Sequence, residues 1–429
     1  MALSNLLTYI FIFIGYFILL TWFGHMGYRK STTLTDFVAG GHSIGIWVSI
    51  GMFSATWVSA TSVIGFPSMT YKAGLCSITA IFGGYFFANS LMPILAYKLR
   101  MPKVPARTIP EYLRLRFEPN AEKSGLQALG ALSMLLGYFA YVMVQLKAVG
   151  MIISTTTGIS YPLALFIFLI FLIYTASGGM WAVGISDLFN TIVIVITMFI
   201  AYLFLLSQAG GWDAMWEAYK AIRTAPIEGG TPTPPGMLTS MLGPHSLSFI
   251  IGLFIASSIG GSAAPHWLTR MQMPKNLKVA VITPLYSQFP ILIIFIALLI
   301  IGVAGRVILP TIPNGHDTDW LLPILFTKHI PIAVGGLALV GVLAAAMSTA
   351  NSMLLHQALA LNYDIIRNLK GRKIDDRTMI RWNRITVVIF GCIAVGLALI
   401  PPQLIAIIAT LVFGFWGCTY VVSDRKPLF

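Results

Sequence analysis

The strongest constraint on this chain is a series of eleven apolar runs, each long enough for the roughly 20 residues that a helix needs to cross a bilayer. They cover residues 3–24, 43–71, 73–97, 125–155, 160–177, 181–208, 246–268, 279–304, 330–363, 383–400 and 403–423, and are called spans 1 to 11 below. Of 429 residues, 57% are hydrophobic and 10% charged, too apolar a mixture for a water-soluble domain to cover. Lipid is the solvent this composition calls for. Backbone groups in lipid must be satisfied internally, and a helix does so within one segment. The expected fold class is therefore an all-α polytopic membrane protein. Span 1 does not read as a cleaved signal peptide. It lacks a basic leader and a small-residue cleavage site, and its apolar run is too long.

The net charge of +13 invites a nucleic-acid reading, which its distribution rejects. With the N-terminus outside, the cytoplasmic loops take Arg29, Lys30, seven Lys/Arg from Lys98 to Lys123, Arg270, Lys275, Lys278, seven from Arg367 to Arg384, Arg425 and Lys426. The outer loops take only Lys72, Lys220, Arg223, Arg306 and Lys328, and Lys147 falls inside span 4. This is the positive-inside bias. It predicts a multi-pass protein of the cell membrane, with the N-terminus outside and the C-terminus cytoplasmic. Cys76, Cys392 and Cys418 lie far apart on apolar segments and read as packing residues.

Two spans look interrupted. Span 2 carries "GMFSATWVSATSVIGFP", with Gly51, Gly65 and Pro67; span 7 carries "ASSIGGSAAPHW", with Gly260, Gly261 and Pro265. Spans 2–6 and 7–11 make two sets of five, and each set opens with an interrupted helix. An odd number of spans inverts the second set relative to the first. That is the pattern of an inverted-repeat transporter, with its site at the midplane where the helices unwind. The expected organisation is a single transporter domain over 1–429: a leading helix (1–30), a first five-helix repeat (43–208) and a second (246–423). The long loop "GGWDAMWEAYKAIRTAPIEGGTPTPPG" begins amphipathic and ends in Gly/Pro turns, so it is expected to lie across the outer surface. The segment "RTIPEYLRLRF" has Pro110 near a helix start and reads as a surface helix.

Span 9 contains "AAAMSTANS", residues 344–352. The adjacent hydroxyls of Ser348 and Thr349 supply two neutral oxygens of the kind a dehydrated monovalent cation needs, and the alanines let another helix approach. Small-residue helix packing explains the same letters.

Four further segments carry a resemblance. "TDFVAGG" precedes span 2, "RTIPEYLRLRF" follows span 3, "YTASGGMWAVGISD" joins spans 5 and 6, and "PHWLTRMQ" ends span 7. In that order they resemble the sodium:solute symporter family, over about residues 8–423. The resemblance implies a LeuT-type fold with one leading helix before a ten-helix core, working by alternating access. It places a sodium site on the carbonyls of Ala55, Val58 and Ala345 and the hydroxyls of Ser348 and Thr349. Asp187 matches the family's acidic residue on span 6, an ion-exit position; a charge at a helix N-terminus accounts for it equally. Family members usually have two further helices after span 11, although the ten-helix core is complete here. The family's proline carriers have an Asp where this chain has Trp57, and its sugar carriers a Gln where it has Ser62, so neither solute follows from the motifs.

The expected solute site lies between the two breaks, against spans 4 and 9, and takes in Trp57, Ser62, Gln145, Lys147, Gly260, Gly261 and His266. Lys147 is the unusual member. An ammonium in mid-span is functional, paired or snorkelling to an interface. As a counter-ion it points to a small organic anion. "PHW" and Gln145 resemble the family's monocarboxylate and pantothenate branch more than its sugar branch. The reading is sodium-coupled symport of a carboxylate, with proton coupling or a transporter-like sensor as alternatives. Sodium and the solute are the expected partners, with the lipid bilayer around them; no nucleic acid and no cofactor are expected, and a monomer suffices. No His, Asp or Glu cluster suggests an enzyme.

Overall fold

Long apolar sequence becomes long helix here. The structure, a computed structural model, describes residues 3–100, 106–371, 374–400 and 405–421. Among the described residues, eight helices are each long and apolar enough to cross a bilayer, and a bent pair makes a ninth span. Two shorter apolar helices, Tyr161–Ile173 and Ile405–Tyr420, fall on spans 5 and 11. The eleven expected spans therefore all have helical counterparts, and no strand occurs among the described residues.

Span 1 is α1 (Leu3–Lys30), and α2 (Leu34–Ala39) follows it, started by a capping box in which Thr33 and Asp36 satisfy each other's amides. Span 2 is split into α3 (Ile46–Trp57) and α4 (Phe66–Ala73), bent by 50°. Then come α5 (Gly83–Arg100), the surface helix α6 (Ile109–Phe117) and α7 (Gly125–Thr157). Spans 5 and 6 run together as α8 (Tyr161–Gln208), which breaks at Gly179, where φ is +59° and only glycine is unstrained. After α9 (Gly211–Ala221), span 7 is α10 (Leu247–Ile255) and α11 (Pro265–Gln272). The rest is α12 (Leu277–Ile308), α13 (Leu321–Lys328), α14 (Ile332–Leu359), the short α15 (Asn368–Lys370), α16 (Asp376–Ala398) and α17 (Ile405–Trp416).

The centre is built by α3, α8, α12 and α14, and α1 packs against α8 and α14. From Gly335 to Leu359 only Leu337 of α14 is exposed, so this helix runs through the interior. Large apolar side chains such as Phe11, Ile170, Ile173, Phe289 and Leu411 remain exposed on outer helices, as lipid contact requires.

One end of the bundle carries α6 and the Lys/Arg-rich connections and is called the basic end; the opposite is the far end. At the basic end the starts and ends of the two interrupted spans meet. Ile44 N–H donates to the Met273 carbonyl (3.3 Å) and Lys275 N–H to the Ile44 carbonyl (3.0 Å), a single parallel bridge around Pro274. At the far end the Gly/Pro loop is held down by Arg306, which is fully buried. Its guanidinium donates to the Thr224 carbonyl (2.7 Å) and Thr233 Oγ1 (2.9 Å) and stacks over Tyr71 at 4.8 Å.

Candidate functional site

Interrupting a membrane helix frees amides that must find other partners. In span 2 the helix stops at Val58, whose backbone is extended (φ −92°, ψ 93°), and resumes as a wide π turn over Thr61–Gly65. The facing helix α7 supplies the missing partners. Gln145 Oε1 accepts from Ala60 N–H at 2.9 Å, and the Tyr141 hydroxyl lies 3.2 Å from Ser59 Oγ. The Ser62 hydroxyl donates back to the Trp57 carbonyl at 3.3 Å. Gln145 and Ser62 thus hold the break open.

Across the break stands α14. The Ser348 hydroxyl sits 3.1 Å from the Ala55 carbonyl and 3.1 Å from the Ala345 carbonyl. Thr349 Oγ1 is buried with no partner. A helical threonine ordinarily bonds its own i−4 carbonyl, so this unused oxygen in an apolar interior is the unusual group. Ala55 and Ala345 have no bulk to keep the two helices apart. The structure therefore brings the Ser348 hydroxyl and the Ala55 and Ala345 carbonyls to one place, with the unpartnered Thr349 hydroxyl next along α14 and Val58 at the end of α3, three residues beyond Ala55. This donor set suits a hard monovalent cation.

The two interrupted spans touch through aromatic rings. Trp57 stacks on Trp267 with centroids 3.6 Å apart, and Trp267 Nε1 donates to the Thr56 carbonyl (3.3 Å). His266 is fully buried among Tyr138, Tyr141, Phe413 and Trp416, and neither ring nitrogen has a partner. The glycines behave differently from the expectation. Gly260 and Gly261 remain helical, and span 7 unwinds just after them, at Ala263 and Ala264. A Cβ on Gly260 would lie 2.5 Å from the Phe413 carbonyl oxygen. Gly260 is there for the close passage of α17, and the break is made by the proline two residues beyond Ala263.

Two charged residues find partners the sequence did not suggest. Lys147 is buried, and its ammonium lies 2.7 Å from Asp317 Oδ2 and 2.7 Å from Asp319 Oδ2. Its charge is more than neutralised, so it is not a free counter-ion for an anionic solute, and the expectation built on it is corrected. Asp187 is fully buried against Arg270, with Nη2 at 2.9 Å. Arg270 Nε also donates to Thr56 Oγ1 at 2.9 Å. Arg270 is therefore not the loop cation that the charge count made it. The helix α11 continues past the break and carries it into the interior. Asp187 faces a fixed guanidinium instead of an open path, although its Oδ1 has no partner.

Residues 37–422 match the sodium:solute symporter family. The chain belongs to that family. This symporter is 25% identical over 404 residues to the osmoregulated proline transporter OpuE of Bacillus subtilis, covering 91% of this chain and 77% of the relative. It is 24% identical over 414 residues to a sodium/proline symporter of Staphylococcus aureus, covering 94% and 77%. In fold it is similar to a sodium-coupled sialic acid symporter solved in a substrate-bound outward-open state, with a TM-score of 0.78 at 19% identity, covering 97% and 87% of the two chains. It is similar also to MhsT in complex with L-phenylalanine, with a TM-score of 0.59 at 14% identity, covering 89% of each chain. The symporter has a LeuT-type fold, and it is a sodium-coupled solute transporter, not an enzyme. These relatives do not single out the monocarboxylate and pantothenate branch.

Sequence reasoning missed Tyr141, Trp267, Asp317, Asp319 and the interior place of Arg270. Aromatic residues in apolar spans carry no local signal. "HDTDW" did carry one, two acids in an otherwise acid-poor chain.

Proposed function

We propose that this symporter carries a small, net-neutral, carboxylate-bearing solute, an amino-acid-like zwitterion, together with sodium. The sodium site is assigned to the carbonyls of Ala55, Val58 and Ala345 and the hydroxyls of Ser348 and Thr349. The observation that carries this is the Ser348 hydroxyl, 3.1 Å from both the Ala55 and Ala345 carbonyls, beside the unpartnered Thr349 hydroxyl. The solute site is assigned to the space between the breaks, bounded by Trp57, Ser62, Gln145, Gly261 and His266.

Net neutrality follows from charge. Near the breaks, Lys147, Asp187, Arg270 and Asp319 are all engaged in ion pairs. A net anion entering there meets no free counter-charge and loses its hydration. A zwitterion brings its own. The proline named for the relatives is such a solute, which supports the reading. The basic end is assigned to the cytoplasm of the cell membrane, with the N-terminus outside, on the positive-inside bias. Asp187 belongs to the sodium exit on this reading, released when the Arg270 pair opens.

Proteoliposome uptake of labelled amino acids, carboxylates and sugars, with and without sodium, tests it. Ser348→Ala and Thr349→Ala are each expected to raise the sodium concentration for half-maximal uptake by about tenfold or more, the effect of losing one ligand worth about 1.4 kcal/mol. Unchanged sodium dependence in the double variant refutes the site. Preferential uptake of a net anion refutes the solute class.

A further inference from the structure

At the far end, three consecutive residues tie together three walls of the entrance. Asp317 and Asp319 both hold Lys147 of α7. Thr318 Oγ1 lies 2.7 Å from Ser68 Oγ on α4, the far half of the first broken span. Asp319 Oδ2, the oxygen that Lys147 holds, also accepts the Ile405 N–H at 3.0 Å, the first amide of α17. The next residue, Ala406, presses on the break: a Cβ on Gly65 would come within 3.0 Å of the Ala406 Cβ and backbone nitrogen. A cavity of about 370 Å³ lies on the far side of this contact, with Gly65, Ser68, Asp319 and Ala406 in its lining.

We propose that Lys147 is the positioning residue of a latch that closes the outer solute path. Its ammonium fixes the 317–319 turn. The turn in turn fixes the start of α17 over Gly65, so the break is shut off from the cavity beyond. A buried ammonium shared by two carboxylates is a tie that either holds or releases, because a half-separated pair in an apolar interior is the costly state. The hydroxyl contact to Ser68 and the charge-assisted amide contact to Ile405 take their direction from the fixed turn. The far end is the outer one in the orientation proposed above, and the test separates the two ideas.

The test uses the full chain with Cys76, Cys392 and Cys418 replaced by Ala, and Ala409→Cys as reporter. Ala409 is fully buried on α17, one turn inside Ala406. The readout is the rate of modification by a membrane-impermeant thiol reagent in proteoliposomes of known protein orientation, with sodium present and no solute. Lys147→Met is expected to speed labelling by about tenfold or more, and Lys147→Arg to retain most of the protection. Lys147→Met with Asp319→Asn leaves only Asp317 unpaired, a carboxylate partly open to solvent, and keeps an acceptor for Ile405. It still cuts the ionic tie, so it must also label faster, and it decides the question if the single variant does not fold. Unchanged labelling in the double variant overturns the latch. Faster labelling from the cytoplasmic side alone keeps the latch and reverses the orientation. If Lys147 served the solute instead, its loss would weaken solute binding and leave solute-free labelling as it was.

Discussion

Replacing Arg270 by Met is the sharpest probe of how the two broken spans are held at the basic end. Both side chains of the Arg270–Asp187 pair are fully inaccessible, and the contact is 2.9 Å. No solvent screens it, so the weakening that water imposes on surface pairs does not apply. Arg270→Met leaves the Asp187 carboxylate buried with a bare Oδ1 and no cation, and removes the donor to Thr56 Oγ1. Breaking a buried pair from one side costs about 3–5 kcal/mol. That is a factor of roughly a hundred to a few thousand in a folding or closing equilibrium. Asp187→Leu should cost a similar amount, because it strands the guanidinium instead. The double variant strands nothing, and its loss should be small by comparison. The assay is thermal unfolding of the purified protein in detergent for wild type, both singles and the double, completing a mutant cycle. Singles that melt with the wild type would show that the pair carries no stability in the protein. A double variant worse than either single would refute the charge argument altogether.

Three further outcomes are expected. Gly260→Ala forces a Cβ to 2.5 Å from the Phe413 carbonyl oxygen, so α17 must move; overpacking of about 1–3 kcal/mol and a lower maximal uptake rate should follow, read by melting and by transport. Gln145→Leu deprives the Ala60 amide of its acceptor, which should cost about 1–3 kcal/mol in stability, visible as a lower melting temperature, while sodium dependence of the remaining uptake persists. Asp36, outside the spans, has a carboxyl whose burial pushes its pKa up, but hydrogen bonds from Thr33 and Thr32 outweigh this and hold it below its ordinary value. The depressed value means that its stabilisation is present above the ordinary carboxylate range and is lost as pH falls through the folded value. The melting difference between wild type and Asp36→Asn should therefore be constant near neutrality and shrink in acid.

What the sequence disclosed followed from what lipid demands locally. A helix in lipid needs an unbroken apolar run, and the runs mark the helices. An interruption needs freed backbone, and Pro67 and Pro265 mark its neighbourhood. The placing of the breaks was less legible. Gly260 is small because α17 passes close, a requirement of a residue 153 positions away, and nothing in "SSIGGSAAP" distinguishes that from a hinge. Charge was the least legible. Lys147 meets acids 170 and 172 residues downstream, and a lysine in mid-span reads the same whether its partner is a solute or an aspartate. Arg270 was counted as a loop cation because α11 prolongs the span by two turns beyond the break. The hydroxyl pair of span 9 was visible as letters, but only the approach of Ala55 makes Ser348 face a neighbouring backbone and leaves Thr349 buried beside it without a partner.

The small bridge at Ile44 and Pro274 is made by main-chain atoms alone. Ile44 bonds to the residues on either side of Pro274, so the proline, which has no N–H to give, stands at the one position where none is required. A tie of that kind is indifferent to side-chain identity. Drift to a quarter identity between relatives leaves its bonding groups untouched, and no single side-chain truncation cuts it. The basic-end arms of the two broken spans are leashed to each other by their own peptide groups. As long as both bonds hold, an opening on that side carries the two arms together, and the moving part is then larger than either helix.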